Sequence, residues 1–461
     1  MKTTIIFLVF FCLFFESLQS SVWRVGAGRQ YATPSAVVGL VSDGDTVLID
    51  AGNYTADVCS WRANNLLLRG EGGRAKLSAG GKSAEQKAIW VIKGDNCTIE
   101  NIEFSDCKVA DHNGAGIRQE GTNLVVRNCA FRRNEMGILA GNNIKSTILI
   151  EYSEFERSGY GDGYSHNIYI NHIYRFIFRY NYSHHALIGH ECKSRAHRNE
   201  ILYNRLSNEN GHASREIDLP NGGFSIIMGN IIHQGINAEN SNIIGYGLEG
   251  LSDSLRNELY VVNNTIVNER PAGVFVQTQS GTLRTIIRNN FLIGAGSVFG
   301  GGTNVLDSGR NIRSLLASAG FTDALNYDYR LTEGSPAIAA AATVEPVGEY
   351  SLTPTEEYVH LAWKRDILPP LGAVFSAGAY QFAQANEVAE RCDTLPAFFT
   401  AQNGTLRIEI PGNFKYKIWD IYGRMLAEGE GTDRSEIRVN SGVMAVEIKS
   451  AGLILRRVIY L

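Results

Sequence analysis

The sequence predicts an all-β chain: a long parallel β-solenoid followed by a small C-terminal β-sandwich. Three observations lead there. Short alternating strands recur through the middle of the chain, most ending on Asn and a polar turn: "TIENIEF", "LVVRNCAF", "ILIEYSEF", "FIFRYNYS", "EILYNRLS", "IIMGNIIH", "YVVNNTIV" and "TIIRNNFL". The Asn falls at 101, 128, 181, 204, 230, 264 and 290, with Tyr152 in its place once, at spacings of 23 to 34 residues. The composition suits many short strands and tight turns, with 48 Gly, only 10 Pro, 20 Tyr and 20 Phe in 461 residues.

A period in the twenties with two or three short strands per repeat makes each repeat one coil. Coils stack at ~4.8 Å, so equivalent side chains form ladders. Asn in such a ladder satisfies stacked backbone groups. After each turn a second short strand follows, at Gly116-Ile117, Gly137-Ile138, Asn167-Ile168, Glu216-Ile217 and Gly273-Val274. Helical periodicity is weak here, and the connections are not hairpin-like, which excludes a sandwich for this region.

The elements follow in order. Residues 1–20 read as a signal peptide: Lys2, an apolar run from Ile5 to Phe15, then small polar residues. That run is too short to span a bilayer, and no later stretch is long and apolar enough. The mature chain is therefore expected to be secreted or at the cell surface, with no membrane span. Cys97, Cys129 and Cys192 sit where inward apolar residues recur and are read as small buried hydrophobes. The opening "YATPSAVVGLVSDGDTVLIDAGNY" looks like the usual first coil of such a solenoid, a resemblance that implies a short capping helix at about 34–41. The solenoid domain runs over 21–382, a linker over 383–396, and alternating strands with Gly-centred turns over 397–461. A formal net charge of −4 gives no general attraction to nucleic acid.

The Asn-bearing coils and the opening segment resemble right-handed parallel β-helix proteins, a group that includes many secreted polysaccharide lyases and hydrolases. The resemblance covers roughly residues 24–380. It implies closing coils at "DYRLTEGSPAI" (327–337) and "LGAVFSAGAYQF" (371–382), and roughly 10–12 turns in all. At the C-terminus, "IWDIYGRML" and "SGVMAVEI…LILRRVIYL" resemble the sorting domains of type IX secretion, which implies the secretion machinery as a partner.

A solenoid has no intrinsic function, so a site has to be found on its faces. Seven of the ten His lie between 166 and 212, among charged residues, in "DGYSHNIYINH", "YSHHALIGHECKSRAHR" and "NGHASREIDLPNGG". Strand alternation turns Ile168, Cys192 and Ile217 inward and Tyr169, Lys193 and Asp218 outward. Stacking then sets these three in one column, continued by Leu139 and Arg118. The opposite register would bury an unpaired Lys193, which is costly. Asn167, Asn171, Glu191, Arg195 and Glu216 are expected to flank the column on its outward side. His184 and His185 fall in a turn and are read as bystanders. The His spacing matches no zinc motif.

Such a surface suits an acidic polysaccharide. Resemblance to β-helix lyases, several of which use Lys or Arg as base, makes Lys193 the candidate base. Arg195 is the candidate carboxylate ligand or proton donor. Tyr169, His166, His190, Arg215, Asn171 and Arg118 are candidate substrate contacts. Glu191, Glu216 and Asp218 offer oxygens for Ca²⁺ without a recognisable calcium-loop spacing; nothing in the sequence requires a cofactor. Two alternatives stay open. One is a glycoside hydrolase using Glu216 and Asp218, with Asp162 in an earlier coil. The other is a non-catalytic glycan-binding or adhesive β-helix.

Overall fold

Runs rich in Val, Ile and Phe, broken every few residues by Asn or Gly, pair in parallel with the next coil rather than with their sequence neighbour. The computed structural model describes residues 20–251, 256–367, 374–382, 398–402, 405–420, 425–438, 443–450 and 453–460. Twenty-nine strands join into one continuous parallel system. They form three columns; most coils place one short strand in each, while long strands such as Leu67–Ser78 and Val274–Arg288 run through two. The first column begins at Cys59–Trp61 and passes through Ala115–Gln119, Met136–Ala140, Ile168–Ile170, Cys192–Ser194, Ile217–Leu219 and Asn242–Tyr246. The second begins at Val22–Val25 and includes Arg198–Leu202 and Phe224–Met228; the third includes Glu154–Glu156, Tyr182–His184, Arg205–Ser207 and Ile231–Gln234.

Inward residues of the three columns meet in one core. Ile117, Ile138, Ile168, Cys192, Ile217 and Ile244 are fully buried. Aromatic rings climb the axis from Trp61 and Trp90 through Phe104, Phe131 and Phe155, with centroids 4.7–5.3 Å apart. Cys59, Cys97, Cys107, Cys129 and Cys192 are buried free thiols. Burial pushes the Cys97 thiol up to about 11 and that of Cys129 to about 12, so they pack as hydrophobes.

The recurring Asn proves to be two ladders, offset by one residue. Asn101, Asn128, Tyr152, Tyr180, Tyr203, Asn263 and Asn289 share a left-handed corner position with φ of 50–60°. The next residue turns inward. There Asn181, Asn204, Asn230, Asn264, Asn290 and Asn311 stack; the Oδ1 of each from Asn204 on accepts the backbone N–H of the Asn one coil before at 2.8–3.0 Å, and Asn181 Oδ1 accepts that of Ser153 at 2.9 Å. Their Nδ2 groups donate to buried carbonyls such as those of Phe178 and Ile201, both at 2.8 Å. The inward Asn ladder is thereby hydrogen-bonded along its length, while Nδ2 of the adjacent corner residue Asn263 has no partner among the described residues.

Three expectations are corrected. The opening helix is one 3₁₀ turn, Pro34–Val37, shorter than the 34–41 expected. Residues 327–337 and 374–382 do not close the solenoid. Instead the chain leaves the third column after Ile312–Ser314 and returns along the outside. Tyr329, Ala337, Tyr358, Ala377 and Tyr380 pack on Tyr182, Ile231, Val267 and Phe291 of the third column. Val344, Val347, Tyr350 and Leu352 pack on Tyr180, Tyr203, Phe224 and Met228 of the second. The apolar pattern of these segments is real, but it serves outer faces. Finally, alternation fails at the corner before each first-column strand: Asn167, Glu191 and Glu216 face the interior and are fully buried. These strands are only three residues long, so the residue before them belongs to the bend.

The chain divides into two units between Phe382 and Ala383. The second is an antiparallel sheet in which Thr405–Asp420 pairs with Phe398–Gln402, Met425–Arg438 and Val443–Ser450, and the last of these pairs with Leu453–Tyr460. Leu406, Ile408, Phe414, Ile418, Ile437, Val446 and Ile448 form its buried side. The expected leader (save Ser20) and the linker lie outside the described residues, as does Cys392. Among the described residues, no helix is long and apolar enough to cross a membrane.

Candidate active site

The outward face of the first column carries the residues that alternation selected. Arg118, Leu139, Tyr169, Lys193 and Asp218 are successive register partners, and Gly245 follows Asp218. Lys193 Nζ lies 3.5 Å from Asp218 Oδ2 and 5.8 Å from the Tyr169 ring centroid. Arg195, two residues on, points the same way and donates from Nε to Tyr169 Oη at 2.9 Å. Its Nη1 donates to Asn221 Oδ1. Burial works against its charge, but hydrogen bonds to Glu249 and Tyr169 outweigh that and raise its pKa.

Two histidines back this face. His166 and His190 stack at 4.8 Å with an interplanar angle of 14°. His166 Nδ1 accepts the backbone N–H of His190 at 3.0 Å, and His190 Nδ1 accepts that of Arg215 at 3.1 Å. Burial, reinforced by Lys193 nearby, holds both rings well below the usual imidazole range. Each is therefore neutral, with its proton on Nε2. His190 Nε2 then faces Asp218 Oδ2 at 3.4 Å. Arg215 Nη1 donates to Asp218 Oδ1 at 3.1 Å. Burial raises the Asp218 pKa, against the pull of Arg215 and Lys193.

Glu249 completes the cluster. It comes from the turn after Asn242–Tyr246 and reaches back over one coil. Its Oε1 accepts from Lys193 Nζ at 3.0 Å and its Oε2 from Arg195 Nη2 at 2.5 Å. The site thus holds three cations, Lys193, Arg195 and Arg215, against two carboxylates, Asp218 and Glu249. Neither Glu249 nor Asn221 stands out in the sequence. The turn signal "NGG" at 221–223 was visible, but not its contact with Arg195.

The remaining candidates are placed as follows. Asn171 sits at the register position of Arg195, one coil earlier, and its Oδ1 accepts from the His172 backbone at 3.0 Å. Arg118 faces outward but lies three coils from Lys193 and near Glu120, at 3.7 Å. Glu191 is inside the solenoid, where Asn167 Nδ2 (2.5 Å), Ser183 Oγ (3.0 Å) and the Ala186 N–H (2.9 Å) donate to it. Burial pushes its pKa up to about 8. Glu216 is equally internal, its oxygens accept no hydrogen bond among the described residues, and burial raises its pKa. Asp218 faces out and these two face in, so the three form no common oxygen cage for Ca²⁺. Asp162 caps an exposed turn, accepting from the Tyr164 N–H at 3.0 Å; Glu216 faces the interior and Asp218 the outward side, so these two do not flank one bond.

His184, expected in a turn, instead ends the third-column strand Tyr182–His184, stacked on Tyr182 at 4.0 Å, and His185 follows it at a left-handed corner. There Glu154, Glu156 and His184 bring ligand atoms within 4.8 Å of one another. The Arg132 guanidinium already bridges both glutamates. On a turn leading into the first column, exposed Tyr160 stacks on His112 at 3.4 Å, and Tyr164 projects into solvent.

No protein-family profile matches the sequence, and no curated protein matches it. A solved structure, described as the crystal structure of pectate lyase Pel9A, is similar over 73% of this chain and 96% of its own, with a TM-score of 0.50 and 13% sequence identity. The likeness shows the fold: this chain is a parallel β-helix.

Proposed function

We propose that the protein is an exported polysaccharide lyase that cleaves a uronic-acid-containing glycan by β-elimination. One observation carries this reading: two cations, Lys193 and Arg195, meet on the outward face of the first column and already hold a carboxylate, that of Glu249, with the Tyr169 phenol hydrogen-bonded to Arg195 beside them. Elimination needs the same set. Arg195 takes the uronate carboxylate and balances the charge that develops on it when the adjacent carbon loses its proton. Lys193 is the base: it first gives up its own proton to solvent, and its amine nitrogen then takes the proton from carbon. The C–H electron pair forms the new double bond, the glycosidic C–O bond breaks, and Tyr169 O–H delivers a proton to the departing oxygen. Asp218, Arg215 and His190 fix the height of Lys193.

The described scaffold of pectate lyase Pel9A supports a polysaccharide as substrate. The apolar run Ile5–Phe15 after Lys2 and the alternating C-terminal sequence support a reading of export through a sorting route, which fractionation of the producing cells and truncation after Phe382 would test. The chemistry is tested by incubating the protein with pectate, alginate, glucuronan and glycosaminoglycans. Elimination gives an ultraviolet-absorbing unsaturated end. Reducing ends without that absorbance indicate hydrolysis, and binding without either indicates an adhesive role. A chelator in the same assay decides metal dependence.

A further inference from the structure

We infer that Glu249 occupies the protein's carboxylate-binding site as an internal stand-in, and that an incoming uronate must displace it. The identity of the incoming acid rests on the lyase reading; the site itself rests on geometry. One carboxylate bridges two different cations with one oxygen each, Lys193 at 3.0 Å and Arg195 at 2.5 Å. A uronate lying across the column meets the same pair: its carboxylate takes the place of that of Glu249 on Arg195, and Lys193, once it has lost its proton, faces the adjacent carbon.

The cradle outlasts the loss of its occupant. Lys193 keeps Asp218, while Arg195 keeps Tyr169 and Asn221. The backbone beneath Glu249 is also fixed independently. The Glu249 N–H donates to the Pro220 carbonyl at 2.9 Å, Asn221 Nδ2 donates to the Gly250 carbonyl at 3.0 Å, and Leu251 packs against the core. Gly247 and Gly250 make the turn in the left-handed region, at φ +75° and +103°, and a Cβ on Gly247 would come within 2.5 Å of Leu251. Displacement is therefore a side-chain rotation, not a refolding of the turn.

Exposure shows which partner moves. The Glu249 side chain is 47% exposed, those of Lys193 and Arg195 10% and 15%. Glu249 lies on the solvent side and covers both cations. Once it swings out, three cations face Asp218 alone, and an acid ligand restores the balance. A neutral or esterified sugar supplies no such charge and leaves the internal pair in place. Glu249 thereby sets selectivity for free acids: the intramolecular anion competes at high effective concentration, and only another anion competes back.

The test measures binding of D-galacturonate and D-glucuronate by calorimetry, with glucose as the neutral control, to wild type, Glu249→Ala and Glu249→Gln. Circular dichroism checks folding, and the isosteric Gln variant covers the case in which Ala disturbs the turn. Removing the competing charge should tighten uronate binding by about tenfold or more, with glucose unaffected. Uronate binding that is unchanged or weaker in both variants overturns the inference, as does an absence of uronate binding to all three proteins. Tighter binding in the variants without elimination on any polymer keeps this inference and removes the lyase reading. Elimination by wild type without tighter binding in the variants does the reverse.

Discussion

The outer faces of the first column and of the other two are built on the same coils and have opposite fates. Tyr182, Ile231, Val267 and Phe291 of the third column, and Tyr180, Tyr203 and Phe224 of the second, are sealed by the returning chain. The first column over the same coils carries Tyr169, Lys193, Arg195 and Asp218, joined by one charged turn residue, Glu249. A solenoid offers equivalent faces, and the chain spends its own tail on two of them. The difference teaches where to look. Ion pairs occur on all three faces, as in Arg175–Glu200 on the second column and Arg132–Glu154 on the third; what marks the first column is that the tail residues packed on the other two do not seal its Lys193, Arg195 and Asp218.

The comparison breaks most sharply by substitution on each face. Lys193→Ala should lower elimination about a thousandfold, in line with loss of a positioned proton acceptor, while the melting temperature stays within a few degrees. Phe291→Ala should do the converse, costing about 3–5 kcal/mol of stability with turnover per folded molecule unchanged, read from denaturant titration and kinetics on one preparation. Asn230→Ala removes the acceptor for the Asn204 N–H and the donor to the Ile201 carbonyl. Each orphaned group should cost about 1–3 kcal/mol, and hydrogen exchange at Asn204 should accelerate.

A smaller effect concerns pH. Glu191 titrates at about 8 in the fold, against a value of 4.5 in an open chain. The folded state binds its proton more tightly, so this contribution is fully present below about 4.5 and is lost as pH rises through about 8. Glu191→Gln should flatten the fall of melting temperature across that window; an unchanged slope would assign the dependence elsewhere. Smallest of all, Arg118→Ala, three coils from Lys193, should weaken binding of long polymers by only a few-fold and leave short oligomers unaffected.

Much of this was legible in the sequence, within physical limits. The first-column register followed from two-residue alternation anchored on Ile168, Cys192 and Ile217, because an apolar residue at each of these positions leaves one low-cost solution. Alternation ends with the strand, which is why Glu191 and Glu216, one residue outside it, were placed on the wrong side. The Asn ladder was found as a pattern but not as two. Asn suits both a left-handed corner and a buried hydrogen-bonding position, and the two are adjacent. The return of residues 315–367 and 374–382 over the outer faces cannot be separated from closing coils in the sequence, since apolar strands serve either. Glu249 was out of reach for another reason: it meets Lys193 from 56 residues away, through a turn.

The central claim is that the uncovered column performs β-elimination through Lys193. The most direct measurement is the rate of unsaturated-end formation from a polyuronate by Lys193→Ala, compared with Phe291→Ala and wild type at equal folded concentration. The account predicts that wild type and Phe291→Ala form the chromophore at matching rates and that Lys193→Ala forms almost none. Unsaturated product at the wild-type rate from folded Lys193→Ala would contradict it.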